Sequence, residues 1–194
     1  TIDKRVPFQH EVLDPSWIDF SAFKTLCERR HSVRWFKPQQ VPRHIIDEAI
    51  AVAVTAPSAC NRQPFQFFVF DDPEQASEIG SIPMGTAGFS DNFQCILVVV
   101  ADLSAYPSER DRHIIYIDSA LASMQLLLAF ETQGLSSCVI NWPDVERLEQ
   151  KMSDRLSLEV HQRPVMLIAV GYADEKGLIP FSEKQSAKDS VRRS

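Results

Sequence analysis

At 194 residues, 44% hydrophobic and 24% charged, the chain has the length and composition of one globular domain with a single substantial core. Its formal charge of −6 lacks the basic excess of a general nucleic-acid binder, while leaving room for a local basic pocket. No uninterrupted apolar run approaches the ~20 residues of a membrane helix, no signal-peptide pattern opens the chain, and Cys27, Cys60, Cys95 and Cys138 form no C-x-x-C pair, which points to free thiols in a reducing, cytoplasmic compartment.

Residues 1–15 show no sustained period and read as an N-terminal arm; a start at Thr1 rather than Met suggests trimming or a fragment. Ser16 can cap a helix running to about Arg30, with Phe20, Phe23, Leu26 and Cys27 on one face. Pro42 suits the first position of a second helix, whose buried stripe is Ile45, Ile46, Ala49, Ile50 and Ala53 and which ends at Pro57. Phe65–Phe70 reads as a strand stopped by Asp71-Asp72-Pro73, a short helix follows to Ile79, and residues 80–92 form a loop bearing glycine and serine. Residues 95–101 are apolar and rich in β-branched side chains, which predicts a central strand covered on both faces. Residues 102–112 are polar, carry Pro107 and are a candidate mobile segment. The longest helix is predicted over 113–133. Its middle, 120–130, is apolar on most sides and is expected to be buried all round, with Gly134 as its stop. A strand over 135–140, a helix over 143–152 and a strand over 164–172 follow, then a polar tail from 173 to 194. This order is that of an α/β or α+β domain spanning 1–194. The arm and tail have little core of their own, and such ends commonly wrap a neighbour, which hints at a dimer.

Two stretches carry chemistry. In Arg29-Arg30-His31-Ser32-Val33-Arg34, extended backbone would put Arg30, Ser32 and Arg34 on one face. Forked cationic donors with a hydroxyl suit a phosphate monoester; the alternative is that the arginines simply satisfy a helix C-terminus. In Pro57-Ser58-Ala59-Cys60-Asn61-Arg62-Gln63-Pro64, amide side chains offer both donor and acceptor, as the pyrimidine edge of a flavin requires; the alternative is an ordinary helix-to-strand turn. Together they describe a split site for a molecule with a phosphate at one end and a flat polar ring at the other, which flavin mononucleotide (FMN) fits. There is no G-x-G-x-x-G, P-loop, H-E-x-x-H or G-x-S-x-G pattern, and the five histidines are scattered, so no metal site is expected. Asp118 reads as a hydrogen-bonded structural carboxylate, and Cys60 as a bystander.

Jointly these residues resemble the FMN-dependent nitroreductase family. The resemblance runs through Arg30-His31-Ser32-Val33-Arg34 with Phe36, then residues 57–65, Asp118-Ser119-Ala120-Leu121, Leu126-Leu127-Leu128, Gly134-Leu135-Ser136-Ser137-Cys138-Val139-Ile140 and Val170-Gly171-Tyr172, in order over about residues 23–191. It implies an α+β fold with a central mixed sheet flanked by helices, and an intertwined homodimer with FMN at the subunit interface. It further implies that Arg30 and Ser32 hold the phosphate beside His31, and that Arg34 approaches the pyrimidine edge. Pro57, Ser58, Ala59 and Asn61 would reach the flavin from the partner chain. Backbone from Ile140 through Asn141 to Trp142 would face the central ring, and Lys184 would be a C-terminal phosphate ligand. The chain departs from the family pattern at Ala59, at Phe65, at Gln185-Ser186 and in a short lid region over 102–113. The implied activity is reduction of FMN by NADH or NADPH, then of a small-molecule acceptor such as a nitroaromatic or quinone, by a ping-pong route. The alternatives are an FMN enzyme that dehalogenates or fragments its substrate, and a non-catalytic flavin-binding domain of a larger protein.

Overall fold

The computed structural model describes residue 7 and residues 18–192, so the predicted arm, residue 7 apart, and the Ser16 cap lie outside the described residues. Helix α1 (Phe20–Arg29) is capped instead by Asp19, whose carboxylate accepts from the Ala22 N–H at 3.2 Å. Pro42 caps helix α2 (Arg43–Ala53) rather than opening it, and α2 buries Ile46, Ala49 and Ala53. Strand β1 (Phe65–Phe70) leads into helix α3 (Pro73–Gly80), where Asp72 caps and Pro73 takes the first helical position. Then come strand β2 (Cys95–Asp102), helix α4 (Ile114–Thr132), strand β3 (Ser136–Asn141), helix α5 (Glu146–Leu156), strand β4 (Gln162–Gly171) and the single turn α6 (Ala187–Ser190).

The strands form one sheet in the order β1-β2-β4-β3, with every neighbouring pair antiparallel. A parallel bridge between Ser32 and Ser137 at the β3 edge makes the sheet mixed. β2 has the predicted burial, and its period-2 alternation divides the core. Ile96, Val98 and Val100 pack with Ala76, Ile79 and Phe93 on one face, joined by Leu148 and Met152 of α5. Cys95, Leu97 and Val99 pack with Ile46, Ala49 and Ala53 of α2 and with Leu126 and Phe130 of α4 on the other. Each fully buried Val, Leu or Ile contributes about 1.5–3 kcal/mol relative to exposure, so these two clusters fix the layer order helix–sheet–helix. Pro164 is tolerated in β4, a central strand, because a register irregularity lies opposite it, between Val99 and Val100.

Helix α4 corrects one expectation. It has the length and mean hydropathy of a membrane span, yet it packs across the sheet with Asp118, Ser119, Ser123 and Glu131 buried. It is not buried all round. Tyr116, Ile117, Leu121 and Met124 fall on one side at helical spacing and are each 42–49% exposed. The physical reason is that a single chain supplies neighbours for only one side of the helix. The C-terminus stops as expected: Gly134 takes φ 76°, Leu135 N donates to Phe130 O at 3.0 Å and Gly134 N to Glu131 O at 3.3 Å. Helix α1 likewise leaves Phe20 and Phe23 exposed, so of its expected apolar face only Leu26 and Cys27 are partly covered within the described residues.

Candidate functional site

Helix α1 ends because Arg30 turns extended (ψ 119°), its N–H still donating to Leu26 O at 3.2 Å. The chain then runs as a strap beside β3. Val33 N donates to Ser137 O at 3.0 Å, and Lys37 N to Tyr172 O at 2.8 Å. Val33 and Phe36 point into the core, which leaves Ser32 and Arg34 on the outer side, as the alternating pattern predicts.

Arg30, His31, Ser32, Arg34 and Lys184 line one cleft of about 590 Å³, walled by Lys24, Cys27 and Glu28 of α1 and by Pro180 and Phe181 of the tail. Lys24 and Glu28 neutralise one another at 3.6 Å. Among the described residues, Arg30, Arg34 and Lys184 have no carboxylate partner. Lys184 Nζ donates to Ser182 Oγ at 2.8 Å, and His31 Nδ1 donates to the Arg29 carbonyl at 2.6 Å. The Arg34 guanidinium lies 5.4 Å from the centre of the Phe89 ring. Beneath the strap, burial pushes the Cys138 thiol up, against the opposing pull of Arg34 and then Arg30. Three cations without a carboxylate partner among the described residues thus surround one concave space with a hydroxyl, an arrangement whose donors could hold an anion such as a phosphate monoester.

The second motif stands elsewhere in the same chain. Ala59 N donates to both Asp118 oxygens at 3.2 and 3.3 Å, and the Tyr106 hydroxyl donates to Asp118 as well. Asp118 is therefore the hydrogen-bonded structural carboxylate that the sequence indicates. Gln63 N donates to Ser58 Oγ at 3.0 Å, and Gln63 Nε2 to Asn61 Oδ1 at 3.0 Å. Cys60, Asn61 and Gln63 all have left-handed backbone, at φ 53°, 53° and 48°. Pro57, Ser58, Ala59 and Asn61 do not line the cationic cleft of their own chain. Ile140 is buried in the core and Asn141 is exposed at the end of β3; neither lines that cleft. The 102–112 segment is tied down rather than loose: Arg62 donates to Ala105 O at 2.8 Å and lies 5.8 Å from the Tyr106 ring centre. Sequence reasoning missed Phe89 and Asn92, which contact the strap from a loop with no periodic signal.

The family model for nitroreductases matches residues 27–87 and 82–172. The chain belongs to the nitroreductase family. Among its relatives, the NADH dehydrogenase of Thermus thermophilus is 28% identical over 185 residues, 79% of this chain and 88% of its own. Human iodotyrosine deiodinase 1 is 24% identical over 211 residues, 91% of this chain and 71% of its own. The FMN-dependent nitroreductase of Clostridium difficile has the same fold, with a TM-score of 0.74 at 21% identity, covering 87% of this chain and 96% of that one. The family match from residue 27 onward takes in the strap from Arg30 to Arg34, which lines the cationic cleft.

Proposed function

We propose that the protein is an FMN-dependent oxidoreductase that passes reducing equivalents from NADH or NADPH to a small-molecule acceptor, a nitroaromatic or quinone in the first instance. The observation that carries this reading is the convergence of Arg30, Arg34 and Lys184, without carboxylate partners among the described residues, on a cleft that also holds Ser32. A phosphate monoester brings nearly two negative charges and several acceptor oxygens to such a place. Arg30, Ser32 and Lys184 would hold the phosphate, with His31 beside it. Arg34, farther along the strap, would face the ring, where a fixed cation favours whichever form of the ring is more negative. When bound, FMN supplies the hydride and electron chemistry.

The remaining family positions, Pro57, Ser58, Ala59 and Asn61, fit the reading as a partner chain's contribution. The exposed apolar side of α4 (Tyr116, Ile117, Leu121 and Met124) gives a homodimer a surface to bury. Reductive dehalogenation is a second acceptor chemistry for the same cleft, favoured by the similarity to iodotyrosine deiodinase 1.

Releasing the cofactor from purified protein by denaturation and identifying it by chromatography tests the site: FMN is expected, and FAD or no flavin rejects it. Anaerobic titration with NADH and NADPH tests the enzyme: bleaching of bound flavin is expected, and a flavin that stays oxidised favours a non-catalytic binding domain. Arg30→Ala should mainly weaken FMN binding, a charge-assisted bond being worth about 1.5–3 kcal/mol, roughly 10- to 150-fold in Kd. Arg34→Ala should mainly shift the flavin midpoint potential.

A further inference from the structure

The turn that closes the 80–92 loop holds the strap through both its backbone and its key side chain. Asn92 places every polar atom of its amide: Oδ1 accepts from Phe36 N at 2.8 Å, while Nδ2 donates to Arg34 O at 2.9 Å and to Phe89 O. These partners, one N–H and two carbonyls, are complementary to a single orientation of the amide. Phe89 carries the Arg34 guanidinium on its ring at 5.4 Å. It packs edge-on against the fully buried Phe93, with centroids 5.6 Å apart and planes at 72°, and Phe93 in turn meets Phe36 at 6.3 Å. The main chain of Arg34, the main chain of Phe36 and the guanidinium are thus referred to one turn rooted in the core.

An aromatic partner has a consequence that a carboxylate would not. A carboxylate orients an arginine but cancels its charge; a ring face orients the planar guanidinium and leaves the charge available to a ligand. We infer that Phe89 and Asn92 are positioning residues that fix Arg34 toward the cofactor ring with its charge uncompensated. The inference rests on the FMN reading of the cleft and adds to it how the cation is aimed.

The test is a double-mutant cycle read on the midpoint potential of bound FMN, with FMN affinity measured alongside. Phe89→Leu keeps an apolar side chain against Phe93 and removes the ring; Phe89→Tyr keeps the ring. Phe89→Leu is expected to move the potential in the same direction as Arg34→Ala but less far, with FMN Kd changed by less than about fivefold, the reach of an exposed cation–π contact. Phe89→Tyr should retain the wild-type potential. In the Arg34→Ala background, Phe89→Leu should move the potential no further. Asn92→Ala, checked for folding by near-UV circular dichroism, should shift the potential in the same direction and is the second route if Phe89→Leu does not fold. Equal shifts from Phe89→Leu with and without Arg34 overturn the inference, as does a wild-type potential in both Phe89→Leu and Asn92→Ala when Arg34→Ala shifts it. Failure of the wild-type protein to bind FMN overturns the cofactor reading, and this inference with it, before any variant is compared.

Discussion

Replacing Asp118 by Ala removes the group that ties the 57–61 turn to helix α4. Asp118 is 2% exposed and accepts from Ala59 N and from the Tyr106 hydroxyl. The substitution leaves the part-buried Ala59 N–H without its partner; a donor so orphaned costs about 1–3 kcal/mol where it is kept from water and less where water reaches it. Tyr106 is only half-buried, so its hydroxyl can turn to water and adds less. The turn is also poorly able to hold itself. Cys60, Asn61 and Gln63 are non-glycine residues with positive φ, each costing on the order of 1–2 kcal/mol, and such backbone persists only where its surroundings impose it. One effect opposes the loss: Asp118 forms no ion pair among the described residues, so its burial carries a desolvation penalty that Ala relieves.

The orphaned donor and the vacated space outweigh that relief, and Asp118→Ala should lose about 1–3 kcal/mol. For a chain of this length that is a fall in Tm of roughly 2–4 °C per kcal/mol. Asp118→Asn keeps an acceptor for Ala59 N, can still pair with Tyr106 and sheds the charge, so it should cost about 1 kcal/mol or less. Urea unfolding at one fixed protein concentration is the assay, since a dimer would make the midpoint concentration-dependent. Asp118→Ala within about 0.5 kcal/mol of wild type would refute the anchoring argument. Asp118→Asn less stable than Asp118→Ala would show that the charge, rather than the acceptor, matters.

Three further outcomes follow from the packing and the charges. Gly80→Ala would put its Cβ 2.5 Å from Phe93 Cδ2 and 2.6 Å from Cε2; overpacking of about 1–3 kcal/mol should exceed the helix-propensity gain of about 1 kcal/mol, and an undiminished urea midpoint would contradict this. Arg43 Nε donates to Asp71 Oδ2 at 2.6 Å, and that hydrogen bond holds the Asp71 carboxyl below its usual range. A folded-state pKa that is depressed gives stability present above the unfolded value of about 4 and lost as pH falls through the folded one. The gap between wild type and Arg43→Met should thus be open near neutral pH and close in acid; a gap independent of pH would argue against it. In the native protein at about pH 8, a thiol reagent should modify exposed Cys60 before buried Cys95, which burial pushes up to about 12; equal rates would break the argument.

Much of the fold was legible where local physics decides it. The 95–101 run announces a strand covered on both faces because no polar side chain breaks it, and Gly134 marks a helix end because positive φ suits glycine. The strap was legible for the same reason: Val33 between Ser32 and Arg34 sets the alternation that the extended backbone obeys. What was not legible depends on distant partners. Phe89 and Asn92 meet Arg34 across more than fifty residues of chain, from a loop whose serines and glycines look like simple turn formers. The exposed side of α4 was read as buried because a hydrophobic pattern reports that a face needs cover, not which molecule provides it. The strand order gives no local sign either, since β4, last in sequence, pairs between β2 and β3.

Helix α4 connects these separate features. Near its start, Asp118 holds the 57–61 turn. In its last turn, the Glu131 carboxylate, with its side chain 6% exposed, accepts from Arg29 Nε at 2.7 Å and so fixes the end of α1 from which the cationic strap departs. A negative charge at a helix C-terminus opposes the helix dipole, and Arg29 offsets that locally. The same helix carries the exposed apolar side of Tyr116, Ile117, Leu121 and Met124, flanking Asp118 and running toward Glu131. Both parts of the split motif are therefore attached to α4, a helix whose outer side lacks cover among the described residues. In the proposed homodimer, burying that side would set the 57–61 turn of one chain relative to the strap of the other through rigid helices rather than loops. Cofactor affinity and dimer stability would then be linked: whatever loosened the α4 contact would also displace the groups proposed to grip FMN, and bound FMN, touching both chains, would raise the cost of separating them.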